Sequence, residues 1–121
     1  MRRVRAENVA RGTVLGDRID LADRWWDRLK GLLGRENLGR GEGMLLRPCR
    51  AIHMLGMRAA LDVAFLNSAG HVVALYPDLQ PGSRTRWHGT ARDALELPPG
   101  TLAATGTRVG DTIVCTMEDV A

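Results

Sequence analysis

The chain has 121 residues, 45% of them hydrophobic, and carries 17 basic against 14 acidic residues for a net charge of +3. That length suits one domain, 1–121, with a core of its own. No run of about 18 apolar residues is present to cross a membrane as a helix, and the basic start MRRVRAENVARG lacks the apolar stretch of a secretory signal, so the sequence reads as cytoplasmic.

Val4 to Ala6 reads as a short first strand. Gly16-Asp17, between Thr13–Leu15 and Arg18-Ile19, suits a tight hairpin with glycine first. The one good helix is predicted over Ala22 to Leu33. Asp20 is its N-cap, Asp23 and Asp27 lie near its positive end, and Gly34 stops it. Trp25, Leu29, Leu32 and Leu33 share one face. Trp26 falls about 100° from Trp25, so one of the pair is core and the other is either partly exposed on a partner surface or lies over a neighbouring loop. Gly34 to Gly43, GRENLGRGEG, is a loop that matches no phosphate-binding fingerprint.

Beyond it the segments are short and β-like. Met44–Leu46 stops before Pro48, and Ala51–Met54 forms another strand. Leu61–Leu66, the turn Asn67–Gly70 and Val72–Tyr76 make a β-hairpin. Pro77 to Gly89 is a long polar loop. Asp93–Leu97 resumes a strand, closed by Pro98-Pro99-Gly100, and Thr101 to Ala104 leads to Gly106. Gly110-Asp111 turns into the last strand, Thr112–Met117. Short strands at regular spacing behind one early helix predict a mainly β chain (α+β by strict count), a compact barrel or jelly-roll-like sandwich of antiparallel strands.

Chemistry concentrates in Cys49 to Leu66, CRAIHMLGMRAALDVAFL. Alternation places Leu61, Val63 and Phe65 on one face of a strand and Asp62, Ala64 and Leu66 on the other. Asp62 is then an acid in an apolar strand, where it must be paired or hydrogen-bonded. Arg58, four residues earlier, is the nearest partner for a clamp; the alternative is Asp62 capping amides of the preceding loop. Glu96, flanked by Leu95 and Leu97, either faces water or converges with His53 and Asp62. His53 is either a satisfied structural histidine or a ligand. Candidate metal ligands (His53, His71, His88, Cys49, Asp62, Glu96) show no tight spacing, so no metal or cofactor is expected. Cys49 and Cys115 fit no redox or metal spacing and read as reduced, packed thiols. Ser83–His88 combines Arg84, Arg86, Trp87 and His88; it either grips an anionic or sugar-like ligand or a base, or is a solvated loop with Trp87 folded down. Charge is otherwise scattered, with no run of five or six, which argues against nucleic acid.

Several ordered segments resemble one family: Arg28–Arg35, Gly43–Leu46, Ile52–Arg58, Leu61–Leu66, Leu95–Gly100 and Gly110-Asp111. Together they are similar to the domain of unknown function 192 (DUF192) family, also called uncharacterised protein family 0127, over about Leu15 to Val114. The family's usual Gly-Leu-Met stands here as Gly31-Leu32-Leu33, and its frequent Asn-Thr is replaced by Ala59-Ala60, so a site built on those side chains is absent. Its Leu-Asp and Leu-Glu pairs are present, as Asp62 and Glu96. The resemblance implies a compact β fold and no assigned reaction. Members of the branch it resembles are bacterial, some encoded near pilus-assembly genes, an association that carries no mechanism.

The expected function is a small non-catalytic binding or accessory module, for a polar ligand or protein partner, linked by that association to pilus or envelope assembly. Its pocket or clamp would draw on His53, Arg58, Asp62 and Glu96, in a monomer or weak homodimer. The alternative is a metal-assisted or acid/base hydrolase using His53, Asp62 and Glu96, which requires those side chains to converge.

Overall fold

The computed structural model describes residues 2–24 and 38–118. Seven strands and one short helix follow in the order β1 (Arg2–Asn8), β2 (Thr13–Ala22), β3 (Glu42–Leu46), β4 (Leu61–Leu66), β5 (Val72–Leu79), β6 (Asp93–Leu97), α1 (Thr101–Thr105) and β7 (Ile113–Met117). All seven strands join one sheet in the order β5-β4-β6-β3-β2-β1-β7. Neighbours are antiparallel except β2 and β3, which run parallel. No helix among the described residues is long and apolar enough to cross a membrane.

The sheet curls until its two edge strands meet at one end. Ile113 donates to the Gly70 carbonyl at 2.8 Å, Val72 to that of Asp111 at 2.9 Å, and Gly110 to that of Val72 at 2.8 Å. His71 and Thr112 face each other across this seam. A side chain at Gly70 has no room there: a Cβ would lie 2.5 Å from the Ile113 oxygen, and the backbone φ is +83°. The result is a curled half-barrel, mainly β as the strand spacing predicts.

Two apolar cores flank the sheet. Inside the curl lie Val4, Leu15, Ile19, Leu45, Leu66, Leu95 and Leu97, closed at one end by Leu102 of α1. On the outer face Met44, Leu46, Val63, Phe65 and Ala94 are covered by Ile52, Met54 and Met57. β4 and β6 are therefore buried on both faces, every residue of each. That double burial explains their near-continuous apolar sequences. The alternation predicted for Leu61–Leu66 is observed, with Ala64 and Leu66 inside and Leu61, Val63 and Phe65 outside.

Three local expectations are corrected, and one segment without an assigned element gains one. Gly16-Asp17 is not a hairpin turn; it lies within β2. Its glycine is required by a close approach, since a Cβ would lie 2.9 Å from the Gly41 oxygen. Asp20 and Ala22 also lie in β2, so Asp20 caps no helix; residues 25–33 of the predicted helix, with Trp25 and Trp26, fall outside the described residues. β5 runs through Pro77 to Leu79, which an edge strand tolerates because proline's missing N–H is not needed by a neighbour. Thr101–Thr105 is helical, bounded by Gly100 and Gly106 in left-handed conformations.

Candidate functional site

The outer core is roofed by two segments, 47–60 and 80–92, that join each other outside the main sheet. Cys49 donates to the Arg92 carbonyl (2.8 Å), His88 to Arg50 (2.8 Å), Thr85 to Ile52 (2.8 Å), Met54 to Ser83 (2.7 Å) and Gly82 to Met54 (3.0 Å). The Thr85 hydroxyl accepts the Ile52 N–H at 3.0 Å. The flap is pinned to the sheet by an aromatic cluster. The His88 ring lies 4.7 Å from Phe65, and its Nε2 is 2.7 Å from the Tyr76 hydroxyl, which also accepts the Arg86 N–H at 3.2 Å.

His53 and Arg84 are directly opposed in this ladder. Their neighbours make the hydrogen bonds, so they form the narrow pair whose side chains lie closest together. Ile52 and Met54 point into the core, and His53 points out. Arg84 and Arg86 are likewise exposed. Beside this pair runs a groove of about 600 Å³, lined by Ala51, Ile52, Leu55 and Gly82 together with the polar His53, Ser83, Arg84 and Thr85. Leu55 is 80% exposed at one end of the ladder and Trp87 71% exposed near the other. Trp87 therefore does not fold down onto the barrel.

The charge of the flap was legible in the linear sequence only in part: Arg84, Arg86 and His88 stand together in Ser83–His88, while the segment that joins them lies elsewhere. Segments 47–60 and 80–92 contain six arginines and no carboxylate, while the rest of the chain carries 11 basic against 14 acidic residues. Arg47 and Arg92 are spent on Asp93: Arg47 donates to it at 2.8 and 3.0 Å, and Arg92 Nη2 lies at 3.0 Å. Arg50 folds back onto the Ala91 carbonyl at 3.0 Å. Arg58, Arg84 and Arg86 make no ion pair among the described residues. Each segment alone shows only spaced arginines; the signal that could have revealed the face was the absence of acids across both.

The other sequence-selected residues lie apart. Asp62 is buried inside the curl, where its Oδ1 accepts the Asp78 N–H at 2.8 Å and its Oδ2 the Leu102 N–H at 2.9 Å. Its caps come from β5 and α1 rather than from the preceding loop, and Arg58 is exposed. Glu96 is fully buried rather than facing water. The register pairs Glu96 with Val63 and Asp62 with Leu97, so the two acids occupy opposite faces of the sheet. His53, Asp62 and Glu96 thus do not share one cavity. Among the described residues no three His, Cys, Asp or Glu side chains gather at metal-ligating range.

The Gly110-Asp111 turn builds a separate latch. Asp111 accepts from Asn8 Nδ2 at 3.0 Å, Arg11 Nε at 3.1 Å and the Arg108 amide at 2.9 Å. The Arg11 guanidinium first, then Asn8 and the Arg108 amide, hold its carboxyl down at about 2. Of the two free thiols, Cys115 is pushed up to about 11, chiefly by burial.

Comparison with known proteins places the chain among uncharacterised relatives. Residues 6–115 match the DUF192 family, described as an uncharacterized ACR. A UPF0127 protein of Thermococcus sibiricus is 29% identical over 119 residues, covering 93% of this chain and 75% of its own. A solved structure of a protein of unknown function from Novosphingobium aromaticivorans superposes with a TM-score of 0.75 at 25% identity, over 93% of this chain and 83% of that one. Another, named as a candidate transcription regulator of Sinorhizobium meliloti, superposes with a TM-score of 0.74 at 25% identity, over 94% of this chain and 92% of that one.

Proposed function

The chain belongs to the DUF192 family of uncharacterised proteins, and from that premise we propose that it is a non-catalytic binding module whose flap takes an anionic ligand or partner. The observation that carries this reading is the pairing of His53 with Arg84 beside a mainly apolar groove, on two segments free of carboxylates. Arginine is suited to the role because its planar fork meets carboxylate or phosphate oxygens in pairs and keeps its charge at any working pH. Exposed arginines on two segments that carry no acid of their own also speed encounter with anions. The opposed placement of Asp62 and Glu96 weighs against a hydrolytic centre on His53, Asp62 and Glu96.

Thermal denaturation and titration calorimetry against dicarboxylates, sugar acids, phosphates and acidic peptides test the reading, with the wild type beside Arg84→Ala. At least one anion class should bind the wild type and raise its melting temperature by a few degrees, and should lose that effect in the variant. The absence of any Arg84-dependent binding across the panel would overturn it.

A further inference from the structure

We infer that the anion recognised by this groove is carried by an extended acidic peptide segment of a partner protein. The inference rests on the binding-module reading and names the ligand class of that same site.

The committed main chain argues first. Phosphate and nucleotide cradles present converging free N–H groups. Here the amides of Ile52, Met54, Gly82, Ser83 and Thr85 donate to the protein's own acceptors, and those of His53 and Arg84, the opposed pair, turn to opposite edges of the ladder and do not converge. Anion recognition falls to the exposed arginine side chains and His53.

The shape and polarity of the groove argue next. Its exposed lining is mainly apolar, and Leu55, one of its lining residues, is 80% exposed. A ligand filling it must present apolar surface beside its charge, as an alternating acidic and apolar strand does. The hydrogen bonds of the ladder run from Ile52 and Met54, so the N–H and C=O of His53 turn outward, where they meet no partner among the described residues. An extended chain laid along 52–54 can take both groups, in the manner of strand addition to a free edge; it then lies on the side of His53 away from Arg84, whose long side chain has to reach across His53 to meet the carboxylates.

Two other polyanions fit less well. Single-stranded nucleic acid needs successive stacking platforms; Trp87 is exposed, whereas Phe65 and Tyr76 are tied into the cluster with His88. A membrane surface needs apolar side chains grouped at one tip. Leu55 and Trp87 instead lie at opposite ends of the ladder, near Gly82 and Arg50 respectively.

Fluorescence anisotropy on the full chain tests the inference with a labelled, end-blocked hexapeptide alternating valine and glutamate. Its glutamine counterpart, a version N-methylated at alternate residues, pyrophosphate, a ten-nucleotide oligothymidylate and phosphatidylglycerol vesicles complete the set. Saturable binding of the acidic peptide is expected, weakened at least ten-fold by glutamine, by N-methylation and by Arg84→Glu. Arg84→Glu should melt at the wild-type temperature, and Arg108→Ala, on another surface, should bind like wild type. Equal binding of the N-methylated peptide, or by Arg84→Glu, overturns the inference. If the peptide fails while pyrophosphate, oligonucleotide or vesicles bind through Arg84, the peptide class is overturned and the binding module stands. If none binds, the inference falls, and the binding module falls with it once the dicarboxylates and sugar acids of the wider panel also fail.

Discussion

The carboxylate of Asp62 on β4 accepts the main-chain N–H of Leu102 on α1 at 2.9 Å and serves that helix as a cap it does not carry itself. Gly100, at the N-cap position, has no side chain to offer. A helix of five residues does not persist alone, so α1 depends on Asp62 and on burying Leu102 to close the curl.

Asp62→Asn should therefore be costly although it keeps the shape. The amide retains one acceptor oxygen and turns its NH₂ toward whichever of the Asp78 and Leu102 amides is left. Two donors then face each other in a buried site. Losing a charge-assisted bond and leaving a buried donor unsatisfied costs roughly 2–4 kcal/mol. Arg58→Ala, at an exposed residue, should change stability by less than about 0.5 kcal/mol. Urea unfolding of both variants separates the two cases. Equal losses would mean that Arg58 supports Asp62 after all.

Closure of the half-barrel predicts a second asymmetry. Gly70 and Gly82 both hold left-handed backbone, with φ of +83° and +82°. An added Cβ at Gly82 meets nothing within 4 Å, whereas at Gly70 it would lie 2.5 Å from the Ile113 oxygen. Gly82→Ala should cost only the backbone strain, about 1 kcal/mol. Gly70→Ala adds a clash with the seam and should cost roughly 1–3 kcal/mol more, the usual range for overpacking. Matching unfolding midpoints for the two variants would show that the seam yields freely.

The Asp111 latch predicts how stability responds to acid. Its carboxyl is held at about 2 in the folded chain, below the ordinary 3.8. A depressed folded value means that the ionised form is favoured by folding. The contribution is therefore complete above about pH 4 and fades as pH falls toward 2. The melting-temperature gap between wild type and Asp111→Asn should be constant from pH 7 to 5 and narrow between pH 4 and 2. A gap that stays constant down to pH 2 would remove the latch from acid unfolding.

What could be read in advance depended on how local the physics was. The alternation of Leu61–Leu66 sorted its side chains between two faces because strand geometry alone decides that. The partners of Asp62 were hidden, since Asp78 and Leu102 lie 16 and 40 residues further along and Arg58 was merely the nearest in sequence. Gly16 was misread because a glycine signals a turn and a close backbone approach with the same letter. Half of the cationic flap was legible, as Arg84, Arg86 and His88 in one loop; the other half was not, because its arginines belong to a separate segment that only the ladder between Ile52 and Thr85 brings alongside.

The two cysteines offer the last test, through reactivity rather than stability. The Cys115 thiol sits at about 11 against an ordinary 9.0, because burial, and then the nearby Asp93, disfavour the thiolate more than Arg47 and Arg92 favour it. Since only the thiolate attacks an alkylating reagent, about one thiol in a thousand is reactive at pH 8, against about one in ten for an unperturbed group. With Cys49 removed by Cys49→Ser, iodoacetamide should label Cys115 about a hundred-fold more slowly in the folded protein than in urea at that pH. The folded rate should go on rising close to ten-fold per pH unit from 8 to 10, whereas the unfolded rate levels off above 9. A folded rate that levels off near pH 9, or lies within three-fold of the unfolded one, would mean that the Cys115 thiol is far more open to solvent than its half-buried place against the inner core allows.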